Sequence, residues 1–164
     1  MNSFAYLWQS SILSKLSFKA QVHSACIAQI GERIRNFHET LADLSDGAKN
    51  DAKSTAGDKH ETANAMMQLE REKISRQLLE TLDQYAILQR LENHISSTKI
   101  GFGSLIKTNR GYIYLSIPMG KLLIDTETMM VISPKSPLGV KLIGLSQRNS
   151  AEINGTVYVV EEVW

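Results

Sequence analysis

Large apolar residues recur along the first half of the chain with a helical period. Ile27, Ile30, Ile34, Phe37, Leu41 and Leu44 are spaced 3, 4, 3, 4, 3, which is the a/d seam of a heptad repeat. Run backwards, the seam weakens but persists through His23, Ala20, Leu16 and Leu13. A second stretch carries Met67, Ile74, Leu78, Leu82, Tyr85, Leu88 and Leu91 or Ile95 on one broad face. Residues 45–59, between the two stretches, are rich in Ser, Gly, Asp, Asn, Lys and Ala and hold no large apolar side chain. Such a segment breaks the helix and reverses the chain. Each seam needs cover, and its neighbour in sequence is the nearest apolar surface, so the pattern predicts an antiparallel coiled-coil hairpin. At about 35 residues per arm and 1.5 Å rise, the rod is roughly 50 Å long.

The pattern changes near residues 96–100. Residues 1–97 contain no proline and only Gly31, Gly47 and Gly57, whereas residues 98–164 hold all three prolines and the other seven glycines. β-Branched and aromatic residues now come in short runs between turn signals. Residues 104–108 and 111–117 flank Asn109-Arg110, a hairpin candidate, and residues 121–124 and 128–133 read as two further strands. Ile153 and residues 156–163 flank Asn154-Gly155, the strongest short hairpin signal. Residues 136–144 read as one or two helical turns, with Pro137 at the first helical position and Gly144 as the stop. The predicted class is α+β: a helical hairpin followed by a small antiparallel sheet with a short helix on one face. The division is 1–15 as an atypical N-terminal extension containing Trp8 and Ser10-Ser11, 16–97 as the hairpin, and 98–164 as the β domain.

Charge and composition remove several function classes. Eighteen Lys and Arg against seventeen Asp and Glu give a formal net charge of +1, which argues against polyanion binding through a bulk positive field. Any electrostatic function rests on local placement. A single cysteine, Cys26, excludes an internal disulfide and a Cys-rich zinc module. It reads as a small helix residue with no chemistry. No apolar run approaches the ~20 residues that span a bilayer, and no positive charge precedes the apolar patch after Met1, so a cytoplasmic location is expected. The four histidines, His23, His38, His60 and His94, are scattered, and none pairs with another at metal-ligand spacing. Gly101-Phe102-Gly103 is a lone fragment of a Gly-rich loop without a following helix, and reads as a linker and turn.

The candidate chemistry lies in the polar segment between the helices. Its acidic tip, near residues 46–61, holds Asp46, Asp51, Asp58 and Glu61. Asp58 and Glu61, at i and i+3, share one side of the first turn of the second helix. Two hard oxygen ligands so placed can hold one Mg²⁺, with water or a partner's groups completing its shell. The ion then acts as a Lewis acid or orients an attacking water. The same residues also fit a capping box, with Asp58 as N-cap and Glu61 at N3. Lys49, Lys53 and Lys59 lie in the same tip, where they meet phosphate or simply solvate the loop.

Two segments resemble a known family. Gly57-Asp58-Lys59-His60-Glu61-Thr62-Ala63 resembles the tip motif of the Gre-type transcript cleavage factors of bacterial RNA polymerase, in which Gly-Asp-x-x-Glu-Asn-Ala opens the second helix of a coiled coil. Ser136-Pro137-Leu138-Gly139-Val140-Lys141-Leu142-Ile143-Gly144 resembles the Ser-Pro-Ile-Gly-x-x-Leu-hydrophobic-Gly segment of that family's FKBP-like C-terminal domain. The resemblance spans roughly residues 16–164 and implies a factor that is not itself an enzyme. It enters the secondary channel of a backtracked polymerase. Asp58 and Glu61 help to hold the second catalytic Mg²⁺ and its water at the polymerase active site, and no cofactor is bound to the factor alone. The polymerase then cuts its own transcript at the nascent RNA 3′ end. Lys49, Lys53 and Lys59 meet RNA phosphate, and the C-terminal domain, with Ser136, Pro137 and Gly139, docks on the channel rim. A monomer with no membrane partner is expected. Lys59, His60 and Thr62 depart from the family's usual apolar, small polar and Asn residues. Two alternatives therefore stand beside the cleavage factor: a channel-binding regulator or inhibitor without cleavage activity, and a coiled-coil adaptor whose tip acids are only helix caps.

Overall fold

A computed structural model describes the backbone of residues 3–51, 59–91 and 97–164, and the side chains of residues 15–46, 62–91 and 97–164. Two long helices, α1 (Ser3–Asp51) and α2 (Lys59–Arg90), precede six strands and one short helix. The strands are β1 (Leu105–Thr108), β2 (Gly111–Leu115), β3 (Gly120–Ile124), β4 (Glu127–Ile132), β5 (Ser150–Ile153) and β6 (Thr156–Val163), with α3 (Pro137–Leu142) between β4 and β5. The α+β class and this order of parts are as the residue pattern predicts. The chain forms two compact units. One comprises residues up to Ile27 together with Ile87 onward, and the other is Ala28–Ala86.

The Ala28–Ala86 unit is purely helical. Along α1, Ile30 is buried and Ile34, Phe37, Leu41 and Leu44 are half-buried, while most of their neighbours at other helical angles are exposed. The predicted seam is thus the covered stripe. Along α2, Ile74 and Leu78 are buried, but the stripe continues through Thr81, 4% exposed, and Leu82 is turned outward at 39%. Both residues fit the spacing after Leu78. Thr81 tolerates burial because its hydroxyl donates to the Gln77 carbonyl one turn back at 2.7 Å, which leaves no orphaned polar group. The ion pairs Arg35–Glu32 and Lys73–Glu70 are exposed and spaced i, i+3, so each adds only a few tenths of a kcal/mol. α1 starts at Ser3, so the stretch read as an extension has a helical backbone continuous with the seam. The 49 residues of α1 and 32 of α2 correspond to about 74 Å and 48 Å of helix at 1.5 Å per residue.

The second unit is built on one sheet of order β3-β4-β2-β1-β6-β5. The predicted hairpins form β1–β2 and β5–β6, and the two further strands pair antiparallel as β3–β4. The expectation of a wholly antiparallel sheet needs correction, because β2 and β4 pair in parallel. After β2 the chain crosses to the outer edge as β3, and β4 returns between β3 and β2. The β5–β6 turn places Asn154 at φ 49° and Gly155 at φ 74°, the left-handed pair that Asn-Gly supplies for a two-residue hairpin. β1 and β6 slip register between Lys107 and Thr108. Beyond that bulge, Asn109 continues the ladder: its amide donates to Val159 O at 3.2 Å and its side-chain oxygen accepts from Val159 N at 2.9 Å.

Strand alternation sends side chains to two different covers. Ile106, Ile113, Leu115, Ala151 and Val160 form one core with Ile100, Leu138 and Leu142, so α3 closes that face. On the other face Tyr112, Tyr114 and Trp164 meet the N-terminal part of α1. Phe18 packs edge-on to Tyr112 with centroids 5.3 Å apart, Lys15 lies over the Trp164 ring, and Lys15 pairs with Glu162.

Candidate functional site

The tip motif falls largely outside the described residues. Asp58 and Lys53 lie outside them. Lys59 is the first residue of α2, Glu61 lies in its first turn, and Lys49 lies in the last turn of α1, but the side chains of these three are likewise outside the described set. α2 is described from Lys59 onward, so the capping-box and i, i+3 expectations for Asp58 and Glu61 lie outside the described residues. Among the described residues no group of three or more His, Cys, Asp or Glu could hold a metal ion.

The second motif is fully described, and its residues have structural tasks. Ser136 is the N-cap of α3, and its Oγ accepts the Gly139 amide at 3.0 Å. Pro137 occupies the first turn, where its missing N–H leaves no bond unmade. Gly139 is buried, and a Cβ there would overlap the Ser133 carbonyl oxygen and crowd the Pro134 Cα. These three residues therefore pin a short helix against the loop that follows β4. Leu138 and Leu142 point into the core, which turns Val140 and Ile143 outward at 62% and 46% exposure. The motif builds a small apolar surface from Val140, at one of its variable positions, and Ile143, at its hydrophobic position.

A buried polar network lies elsewhere, beneath the sheet, where the periodicity placed only seam residues. His23 on α1 and Tyr114 on β2 share a 2.9 Å hydrogen bond between Nδ1 and Oη, at 5% and 0% exposure. Burial, and after it the charge of Lys19, pushes the His23 pKa below the ordinary histidine range. Burial likewise lowers that of Lys19. Tyr114 is raised by burial and by the neighbouring Cys26, so its phenol stays protonated. A neutral imidazole accepting that proton at Nδ1 is the arrangement these shifts favour. Burial pushes the Cys26 thiol up to about 12, so thiolate is scarce at neutral pH and nucleophilic chemistry is suppressed. The group is a structural polar bridge between α1 and β2. Its partner residue is 91 positions away in sequence, and no local pattern marks it.

No protein-family model matches the chain, and no curated protein matches it.

Proposed function

We propose that this protein binds the secondary channel of bacterial RNA polymerase and stimulates the polymerase's own Mg²⁺-dependent transcript cleavage in backtracked complexes. In this reading residues 16–97 form an antiparallel coiled-coil hairpin and residues 98–164 form an FKBP-like domain. The observation that carries it is the order and local build of the parts. Two helices of 49 and 32 residues flank the Gly57-Asp58 motif, and the Ser136–Gly144 segment further on is a capped short helix on a sheet. A helical arm of roughly 50 Å is long enough to carry two carboxylates into a buried active site. Asp58 and Glu61 then supply what a two-metal phosphodiester hydrolysis takes from outside: a second set of oxygen ligands and an oriented water. The polymerase does the chemistry, and the Mg²⁺ belongs to its site. Val140 and Ile143 offer apolar contact to the channel rim.

Fe²⁺ substituted for Mg²⁺ in the polymerase active site generates hydroxyl radicals locally, which tests this placement. The reading requires cuts in this protein within residues 46–61 when it is bound to core polymerase. Cuts confined to residues 98–164, or none with binding demonstrated, would overturn it. A second reading keeps the channel and drops the cleavage. It is favoured by Lys59 and His60 between the carboxylates and by Thr62: cations beside the carboxylates compete with a metal ion for them. Under that reading the radical cuts remain and transcript shortening is absent.

A further inference from the structure

Besides its covered stripe of Ile74, Leu78 and Thr81, α2 carries a second heptad stripe about half a turn round the helix. Leu69, Glu72, Arg76 and Leu79 are spaced 3, 4, 3, the a/d interval, and all four are exposed. The two leucines stand at 66% and 64% exposure. A single exposed leucine needs no explanation. These two sit at the ends of one stripe, with opposite charges between them. Glu72, Arg76 and Leu79 line one shallow groove with Gln68, Arg71 and Ser75. Gln68 Nε2 donates to a Glu72 carboxylate oxygen at 3.1 Å, which keeps that carboxylate on this face.

The order of these residues selects their partner. In an antiparallel helix pair each a position of one helix lies level with a d position of the other. Two copies of α2 related by a two-fold axis then set Leu69 against the second copy's Leu79, and Glu72 against the second copy's Arg76. The symmetry repeats each pair, so the stripe gives two leucine layers and two ion-pair layers. A parallel pair of the same stripes sets Glu72 on Glu72 and Arg76 on Arg76, two like-charge contacts in succession. The stripe is therefore self-complementary in one orientation only. Its surroundings tolerate the same register. Ala65 falls opposite Asp83, and the small side chain leaves that carboxylate room to reach water. Lys73, at the flank, comes near its own copy, and Glu70 at 3.3 Å on the same helix offsets its charge. Two apolar layers and exposed ion pairs make a weak, reversible contact.

We propose that the exposed Leu69–Leu79 face of α2 is a self-association surface on which a second copy of this chain docks antiparallel. This surface goes beyond the function proposed above, which concerns the segment between the helices, and either can fail without the other. The resemblance to cleavage factors implies a monomer, and this surface confines that state to dilute protein.

Sedimentation equilibrium of the full-length protein tests it, with loading from about 1 μM to about 1 mM, the range in which weak association shows. The expected average mass rises from one chain toward two. Arg76→Glu sets carboxylate against carboxylate, Glu72→Arg sets guanidinium against guanidinium, and each weakens association about tenfold or more. The double variant Glu72→Arg/Arg76→Glu regains wild-type association, because the exchanged charges again face their opposites in the antiparallel register. An equimolar mixture of the two single variants also associates, although each alone does so poorly. All the substituted side chains are exposed, so the variants fold. A mass that stays at one chain throughout overturns the proposal. So do single variants that associate like the wild type, and a double variant that remains as weak as the single ones.

Discussion

Gly139 and His23 hold their surroundings by opposite means, one by lacking atoms and the other by lacking charge. Gly139 has no Cβ because the Ser133 carbonyl occupies that space. Gly139→Ala must displace backbone, and a loss of about 1–3 kcal/mol in denaturant unfolding is expected, the range for overpacking. Ser136→Ala removes only the cap and costs about 1 kcal/mol. His23 is buried against Tyr114 with its pKa pushed down, so the unfolded chain binds a proton that the native ring resists. The stability contributed by the neutral ring is complete above the unfolded value of about 6.5. It is lost as pH falls through the lowered native value. Urea midpoints between pH 7.5 and 5 should fall more steeply for the wild type than for His23→Gln, and equal slopes would contradict this assignment. The motif residues of α3 could be read from the chain because their roles are local: a cap, a first-turn proline, a small residue. The His23–Tyr114 bridge could not, since apolarity alone does not rank Lys19, His23 and Tyr114 as buried and their pairing is non-local.

At the scale of elements, helix periodicity placed Leu82 on the covered face of α2, and the structure corrects it. Thr81 and Leu82 both continue the α2 stripe after Leu78, and hydrophobicity favours Leu82, but the structure buries Thr81. Leu78→Ala should therefore cost about 2–5 kcal/mol, while Leu82→Ala costs less than about 1 kcal/mol. Comparable losses for the two would contradict the observed face. Gly31 lies inside α1, and nothing stands within 4 Å of the place a Cβ would take. Gly31→Ala should therefore stabilise by about 0.5–1 kcal/mol, visible as a raised thermal midpoint. The strands were legible from alternation and turns, and β6 spans the residues its pattern marks. The parallel β2–β4 pair was not. Hairpin signals join sequential strands, whereas this pairing depends on β3 moving to the sheet edge, which no residue in the 116–119 connection announces.

Across the whole molecule, the proposed function rests on the polar segment between the two long helices. In the proposed reading, Asp58 and Glu61 act only together with a partner's metal. The residues that carry the resemblance to cleavage factors are contiguous in each motif, so they are visible in the sequence without the fold. The most direct test of the central claim is a stalled, backtracked elongation complex with end-labelled RNA and Mg²⁺, treated with wild-type protein or the Asp58→Asn/Glu61→Gln double variant. The account predicts that the wild type shortens the transcript while the variant binds equally well and leaves only the polymerase's intrinsic rate. A wild type that binds without shortening, or a variant that shortens as fast as wild type, would contradict it.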